Sequence, residues 1–271
     1  MLQNITIGQY FPGNSLIHKV DPRMKMVLIF ILMASVFVCT NYYALGLALG
    51  ITVLTVLLSR INLKVILKGM KPIIIIILIT GLLNLFYGTG EPLVKFRVFK
   101  ITEKGIHNAV FMALRVTLLV VIGLMLTYTT TPTSLTDAIE SLLKPLHTVF
   151  KLDVHSLAMT MTIALRFIPT LIEEVDKIMS AQKSRGADME SGNVFKRVKA
   201  MVPVLIPLFI SSFRRAGELA YAMECRCYRG GEGRTKMNRM HLQGRDYGAL
   251  AFTLLYFAGI IVIRVLVKNV I

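Results

Sequence analysis

Residues 181–234 of the 271-residue chain read AQKSRGADMESGNVFKRVKAMVPVLIPLFISSFRRAGELAYAMECRCYRGGEGR and contain the ends of two helix-like runs. One run closes with Ser184-Arg185-Gly186, and the other closes with Cys225-Arg226-Cys227, followed by glycines at positions 230 and 231. An alanine lies four residues before the arginine in both. Glycine after a helix is an ordinary stop, and a cation in the last turn complements the helix dipole. The pattern predicts two helices that end in arginine.

The composition indicates the environment in which most of the chain lies. Hydrophobic residues make up 55% and charged residues 17%, which is too apolar for a soluble domain of this length. We therefore predict a multi-pass membrane protein. Its net charge of +16 is consistent with Lys and Arg in cytoplasmic loops beside anionic headgroups, and no basic-aromatic pattern indicates nucleic acid. Cys39, Cys225 and Cys227 are predicted to be reduced thiols.

Five apolar runs predict membrane-spanning helices, at residues 26–39, 44–59, 72–87, 108–128 and 247–267. Gly46 and Gly50 in the second run have the spacing of a close helix contact. Residues 60–71, which carry lysines at helical spacing, predict a separate amphipathic segment on the cytoplasmic surface. Residues 93–101 alternate apolar and basic side chains, which predicts a short hairpin outside the cell.

Residues 131–245 hold 11 of the 15 acidic residues, which predicts a water-facing domain. Helical patterns cover 133–150, with Ser134 as its N-cap, then 155–185 and 194–227, the last with prolines at 203 and 207. An apolar stripe on the second of these helices favours internal packing: Leu157, Met161, Leu165, Ile168, Ile172, Val175 and Met179.

The predicted fold is an all-α membrane protein with about five transmembrane helices and a cytoplasmic domain of long coupling helices. Residues 1–130 form the amino-terminal segment and the first four transmembrane helices, 131–245 the cytoplasmic domain, and 246–271 the fifth transmembrane helix. Five spans put the two termini on opposite sides of the membrane. The basic residues of 60–71 and the long polar domain mark the cytoplasmic side, so we expect the amino terminus and the helical domain inside and the carboxyl terminus outside.

The sequence carries no motif for catalysis. It lacks a phosphate-binding G-x-x-x-x-G-K-[ST] loop, H-E-x-x-H and G-x-S-x-G, and its five histidines are scattered. We predict a non-enzyme without cofactor or metal. The predicted spans have no Asp or Glu in their interiors, where ion-coupled carriers need ionisable groups. Arg115 lies inside the fourth span, and we expect it to snorkel outward rather than bond a carbonyl.

These residues resemble a known family. The two arginine ends are similar to the paired Ala-Arg-Gly-type motifs of EcfT, the transmembrane T subunits of energy-coupling factor (ECF) transporters. The opening Tyr10-x-Pro12-Gly13-x-Ser15-x-x-His18-x-x-Asp21-Pro22-Arg23-x-Lys25 also resembles that family's amino-terminal segment. The resemblance extends over essentially the whole chain.

The resemblance implies the transmembrane coupling subunit of an ATP-driven importer of vitamins or other micronutrients. Two ABC-type ATPase subunits would dock on Ser184, Arg185 and Gly186 and on Cys225, Arg226 and Cys227, and a separate membrane S subunit would capture the substrate. Apolar helix faces would support exchangeable S subunits. Serine and cysteine stand here in place of the motif alanines, and Cys227 in place of the second glycine, which affects how closely that backbone approaches a partner.

Two other classes of function remain open at this point. One is a membrane scaffold or regulator without transport activity, which would not co-purify with ATPases. The other is an ion-driven carrier, whose transport would follow a proton gradient and ignore ATP. The resemblance implies that substrate choice lies in another chain.

Overall fold

The computed structural model describes residues 10–86, 92–96, 99–150, 153–187, 193–230 and 240–267. Within these ranges the chain is helical apart from one β-hairpin and short connections, which confirms the predicted all-α membrane fold. The elements in chain order are α1 (Pro22–Val38), α2 (Tyr42–Ser59), α3 (Leu63–Phe86), β1 (Pro92–Phe96), β2 (Phe99–Thr102), α4 (Glu103–Thr129), α5 (Pro132–Phe150), α6 (Val154–Ser184), α7 (Val194–Cys225) and α8 (Gly244–Leu266).

The described residues fall into two compact units. The first unit contains residues 10–138 and 240–267, and the second contains residues 139–230. In the first unit α4 packs against α1, α2 and α3, while α1 also packs against α8. In the second unit α6 packs against α7. Helix α5 begins in the first unit and ends in the second.

The core of the first unit surrounds the middle of α4. Phe111, Leu118 and Ile122 of this helix are buried against residues of α1, α2 and α8. Helix α2 approaches through Ala44 and Ala48, which are buried one turn apart. The close contact that the glycine spacing predicted in the same helix is wrong, because a Cβ at position 46 or 50 would meet no described residue within 4 Å. Small residues allow close packing only on the face that meets a neighbour.

Helix α3 corrects the division predicted around residue 71. The basic segment and the third apolar run form one helix from Leu63 to Phe86, with Pro72 inside it. Proline removes one backbone hydrogen bond of a helix. Here the preceding turns are held by Ile66, which is buried against Met125 and Tyr128 of α4, so the helix continues through the proline.

Two other local predictions have clear outcomes. The predicted hairpin is confirmed by antiparallel β1 and β2, in which Lys95 pairs with Lys100 and Phe96 with Phe99. The predicted cap of α5 is wrong by one turn. Thr131 Oγ1 accepts the backbone N–H of Ser134 at 3.2 Å, so Thr131 is the capping residue and Pro132 starts the helix.

Six of the described helices are long and apolar enough to cross a membrane: α2, α3, α4, α6, α7 and α8. Four of them match predicted spans, and α1 matches the remaining one with 17 residues. Helices α6 and α7 qualify by length and composition, although the sequence predicted them as cytoplasmic. The chain is thus a multi-pass membrane protein with five or six spanning helices.

Candidate functional site

Helix α6 ends in a backbone arrangement that places Arg185 at its C-cap. Gly186 follows with φ of +84°, in the left-handed region that glycine adopts without a steric cost. The backbone N–H of Gly186 donates to Lys183 O at 3.0 Å, and that of Ala187 donates to Gln182 O at 3.0 Å. These two bonds define a Schellman motif, which satisfies carbonyls that would otherwise lack partners. The predicted stop at Gly186 is confirmed.

Helix α7 ends in the same backbone arrangement, but a cysteine takes the place of the glycine. Cys227 has φ of +55° and occupies the position that Gly186 has at the other end. Its N–H donates to Glu224 O at 2.9 Å, and the N–H of Tyr228 donates to Met223 O at 3.0 Å. The stop is therefore made by Cys227, three residues before the glycine that the sequence suggested.

The third position of each tripeptide has a common backbone role. It is the left-handed residue that closes the helix and leaves the preceding arginine at the C-cap. A residue with a Cβ in this conformation costs about 1 kcal/mol relative to glycine. Cys227 adopts the left-handed conformation despite this cost. The replacement of glycine therefore changes the side chain on the surface but not the course of the backbone.

The two arginines extend from these ends into solvent. Arg185 and Arg226 are both exposed, as are Ser184, Cys225 and Cys227. Neither guanidinium makes a hydrogen bond or ion pair with any residue in the described ranges, and the carbonyls of the last turns are bonded by backbone N–H groups. The arginines are therefore not needed to cap these carbonyls, which leaves their five donors for another molecule.

The pairing of α6 and α7 places the two arginine ends apart. Residues later in α6 contact residues earlier in α7, so the two helices are antiparallel. Three contacts establish this order: Tyr228 OH donates to Met159 Sδ at 2.9 Å, Arg215 Nη2 donates to Glu174 Oε2 at 3.0 Å, and Gln182 Nε2 donates to Pro203 O at 3.5 Å. Arg226 thus lies near Met159. At about 1.5 Å per residue, the stretch of α6 from Met159 to Arg185 separates the ends by roughly 40 Å.

A network at Glu174 holds the middle of this helix pair. Its carboxylate accepts hydrogen bonds from Ser211 Oγ and from the Arg215 guanidinium, both on α7. Charge-assisted bonds of this kind are stronger than neutral ones and restrict sliding of one helix along the other. Glu174, which lies beside the predicted apolar stripe, therefore joins α6 to α7.

The second unit leaves a large apolar surface uncovered. Side chains on α7 recur at helical spacing and are exposed, with Phe195 89%, Phe209 61% and Phe213 75% accessible. On α6 the predicted packing stripe is only half-buried, and Leu157 and Met161 are exposed. Internal packing is thus the wrong interpretation for Leu157 and Met161, while the other five residues of the stripe are half-buried. Large exposed apolar surfaces mark contacts with other proteins or with the membrane.

The amino-terminal motif folds into a compact, hydrogen-bonded turn on the first unit. Ser15 Oγ and His18 Nδ1 lie 2.6 Å apart, and His18 Nε2 lies 3.0 Å from Phe11 O. The imidazole covers Gly13, where a Cβ would come within 3.0 Å of the ring. The backbone N–H of Phe11 also donates to Tyr128 O at the end of α4. This part of the family-like motif therefore has a structural role.

The rest of the motif ties three helices together. Asp21 caps α1 by accepting the N–H of Arg23 at 2.9 Å, and its own N–H donates to Asp246 Oδ1 of α8 at 3.2 Å. Lys25 is only 4% exposed, and its ammonium donates to Thr129 O of α4 at 3.0 Å. The motif therefore joins the starts of α1 and α8 to the end of α4.

Arg115 does not snorkel outward as predicted. Its guanidinium donates to Cys39 O at the C-cap of α1 and lies over the Phe111 ring, 4.8 Å from the centroid. The free carbonyl at the end of a helix is a strong acceptor for a cation, and the ring adds a cation–π contact. Arg115 therefore bonds α4 to the end of α1.

These features define a class of protein. It is a multi-pass membrane protein in which a pair of long antiparallel helices carries two exposed arginines on matching backbone ends. In the described ranges, no group of three or more His, Cys, Asp or Glu side chains is arranged to hold a metal ion.

Comparison with known proteins identifies the family. Residues 13–237 match the family model described as a cobalt transport protein, CbiQ. The energy-coupling factor transporter transmembrane protein EcfT of Ruminiclostridium cellulolyticum is 51% identical over 264 residues, which are 97% of this chain and 98% of that protein. Proteins of the same name from Clostridium kluyveri and Bacillus subtilis are 51% and 45% identical, over 91% and 97% of this chain and 92% and 100% of their own lengths.

The chain belongs to the EcfT family of transmembrane T subunits of ECF transporters. It is a non-catalytic transmembrane subunit of a transporter of this kind. This agrees with the absence of a phosphate-binding loop from the sequence.

Proposed function

We propose that Arg185 and Arg226 are the points at which two ABC-type ATPase subunits drive this T subunit. The observation that carries the proposal is the pair of identical helix ends, each presenting an exposed arginine without a partner in the described ranges. A guanidinium offers forked hydrogen bonds that suit carboxylates in a groove, and it stays charged at any cellular pH. A rigid helix then transmits displacement along its axis.

The separation of the two ends supports two ATPase contacts rather than one. A spacing of roughly 40 Å, from about 1.5 Å per residue of α6, exceeds the width of a single helix-sized groove. Ser184 and Gly186 flank one arginine, and Cys225 and Cys227 flank the other. These small side chains leave the guanidinium accessible from the surrounding directions.

The exposed apolar face of α7 is the proposed platform for the substrate-capturing S subunit. Its large residues recur along one side, with Val198, Leu205 and Phe209 among those exposed. Adaptable apolar surfaces support binding of more than one partner. The proposed occupant is a small membrane subunit that carries a vitamin or another micronutrient.

The proposed orientation places the amino terminus and the arginine-bearing helices in the cytoplasm and the carboxyl terminus outside. Lys64, Lys68 and Lys71 at the start of α3 are exposed, as the positive-inside rule expects for the cytoplasmic side. ATP is available on that side, and the arginine ends must face it to meet ATPases.

Charge reversal at the two ends tests this function. The variants Arg185→Glu and Arg226→Glu place like charges against acidic grooves, and losing one charged partner of such a pair costs about 2–5 kcal/mol of binding. Each single variant is expected to reduce ATPase co-purification, and the double variant to abolish ATP-dependent uptake. Arg214→Glu makes the same change at an exposed arginine within α7 and is expected to retain assembly.

The outcomes separate this function from a purely structural one. Lysine at either end should substitute fully if the arginine only complements a helix dipole, a contribution of about 0.3–1 kcal/mol. Normal uptake by the double glutamate variant would refute the coupling role. For the platform, Phe209→Asp is expected to release the S subunit while both ATPases remain bound, and loss of both together would contradict it.

A further inference from the structure

The first unit contains an apolar cavity of about 310 Å³. Helices α1, α2, α4 and α8 supply its walls, which include Leu32, Leu54 and Phe252. Residues 16, 17 and 20 of the amino-terminal segment also line it. Leu54 and Phe252 are exposed by 42% and 51%, so the cavity opens to the side of the unit between α2 and α8. Its apolar walls suit a hydrocarbon chain.

Two cations line this cavity, Lys25 near the start of α1 and Arg245 near the start of α8. Lys25 is 96% buried, and Thr129 O is the one acceptor that its ammonium has in the described part of the chain. Two of its three N–H donors are thus left for another group. A buried charge with unused donors is costly unless an anion or other acceptor satisfies it.

Two carboxylates, Asp21 and Asp246, lie beside this end of the cavity but do not line it. Asp21 Oδ1 accepts the N–H of Arg23, and the two oxygens of Asp246 accept the N–H groups of Asp21 and Gln243. Both carboxylates are thus used in capping the starts of α1 and α8, and neither lines the cavity. The guanidinium of Arg245 has no hydrogen-bonding partner in the ranges that the structure describes. The charged side chains that line this end of the cavity are therefore both cations, and Asp21 attracts the Lys25 ammonium from outside the lining.

We propose that this cavity binds one anionic phospholipid, with an acyl chain between α2 and α8 and the phosphate at Lys25 and Arg245. Apolar walls alone would accept any lipid, but the two cations select a headgroup with net negative charge. Inorganic phosphate would leave the walls unfilled, and a zwitterionic headgroup would bring its own cation toward the two basic residues. The bound lipid would join α1, α2 and α8 beside the place where the amino-terminal motif joins α1 and α8 to α4.

Native mass spectrometry of the purified full-length chain tests the site. The chain would be titrated with phosphatidylglycerol, phosphatidylcholine or oleate in mild detergent. We expect phosphatidylglycerol to be retained in preference to the other two. Arg245→Gln is expected to weaken its binding about fivefold, the effect of one basic residue near an anionic headgroup. Arg264→Gln, at the opposite end of the same helix, is the matched control and should bind as the unmodified chain does.

Filling the cavity provides a second, independent variant. Ala249 lines the cavity, whereas Ala251 is an exposed residue of α8 that does not. Ala249→Trp is expected to abolish phosphatidylglycerol binding, and Ala251→Trp to leave it unchanged. Equal retention of phosphatidylcholine, binding of oleate alone, or unchanged binding by Arg245→Gln would overturn the proposal. The arginine variant lies on the surface, so the test does not depend on tolerance of the tryptophan.

Discussion

Gly69 and Tyr128 provide a quantitative test of the packing between α3 and α4. A Cβ at position 69 would lie 2.1 Å from Tyr128 Oη and 3.3 Å from Leu124 Cδ1. Tyr128 is 1% exposed, and its ring meets Phe11 edge-on at 5.4 Å between centroids. The ring cannot rotate its hydroxyl away, because the oxygen lies on the rotation axis. Gly69→Ala must therefore displace a helix or a packed ring.

The expected cost follows from two opposing effects. Overpacking costs about 1–3 kcal/mol, and a 2.1 Å approach belongs at the upper end of that range. Replacing glycine by alanine inside a helix favours folding by about 1 kcal/mol. The net loss of stability for Gly69→Ala is therefore about 2 kcal/mol. The chain has no tryptophan, so unfolding would be followed by gel filtration of a fluorescent-protein fusion after heating in detergent.

A second substitution should reverse this loss. Tyr128 Oη is buried without a hydrogen-bonding partner in the described residues, so Tyr128→Phe removes an unsatisfied group at little cost. In that background the nearest atoms to an alanine at 69 are 3.3 Å away, and Gly69→Ala should no longer destabilise. Gly81→Ala is the control, because a Cβ at this position of the same helix would meet no described residue within 4 Å. Equal melting of the two alanine variants, or failure of the phenylalanine to rescue, would refute the reasoning.

Two further predictions concern the helix ends and the topology. Gly186→Ala should destabilise the end of α6 and Cys227→Gly should stabilise the end of α7, each by about 1 kcal/mol, because both positions have positive φ. Hydrogen exchange at the two ends measures this, and slower exchange in Gly186→Ala or faster exchange in Cys227→Gly would contradict it. In a background free of native cysteines, Lys64→Cys and Lys104→Cys should react with a membrane-impermeant thiol reagent from opposite sides of the membrane. Reaction of both from one side would contradict the proposed orientation.

The helices themselves were largely predictable from the sequence. Apolar runs of membrane length and a period of 3.6 residues are local properties, and they indicated α1, α2, α4, α6, α7 and α8 to within a few residues. The hairpin was likewise visible as a period of two. Errors arose where local signals compete with packing, as at Pro72, which suggested a boundary that α4 contacts override.

The candidate site was predictable in its residues and not in its geometry. The repeated tripeptides identified Arg185 and Arg226. The sequence did not reveal that Cys227 takes the left-handed position, since that conformation is rare for a residue with a Cβ. A comparison of the two tripeptides position by position, with Cys227 placed opposite Gly186, was the signal that would have indicated it.

By itself, the sequence determined that this is a helical membrane protein with two arginine-ended helices, because hydropathy, periodicity and helix stops act over a few residues. Only the tertiary structure decided where those ends lie and what the amino-terminal motif does. The antiparallel pairing of α6 and α7 separates the arginines, and Asp21 meets Asp246 across 225 positions of sequence. Such contacts depend on which helix faces pack together, and packing of apolar surfaces is non-directional. Local patterns therefore do not specify the partner.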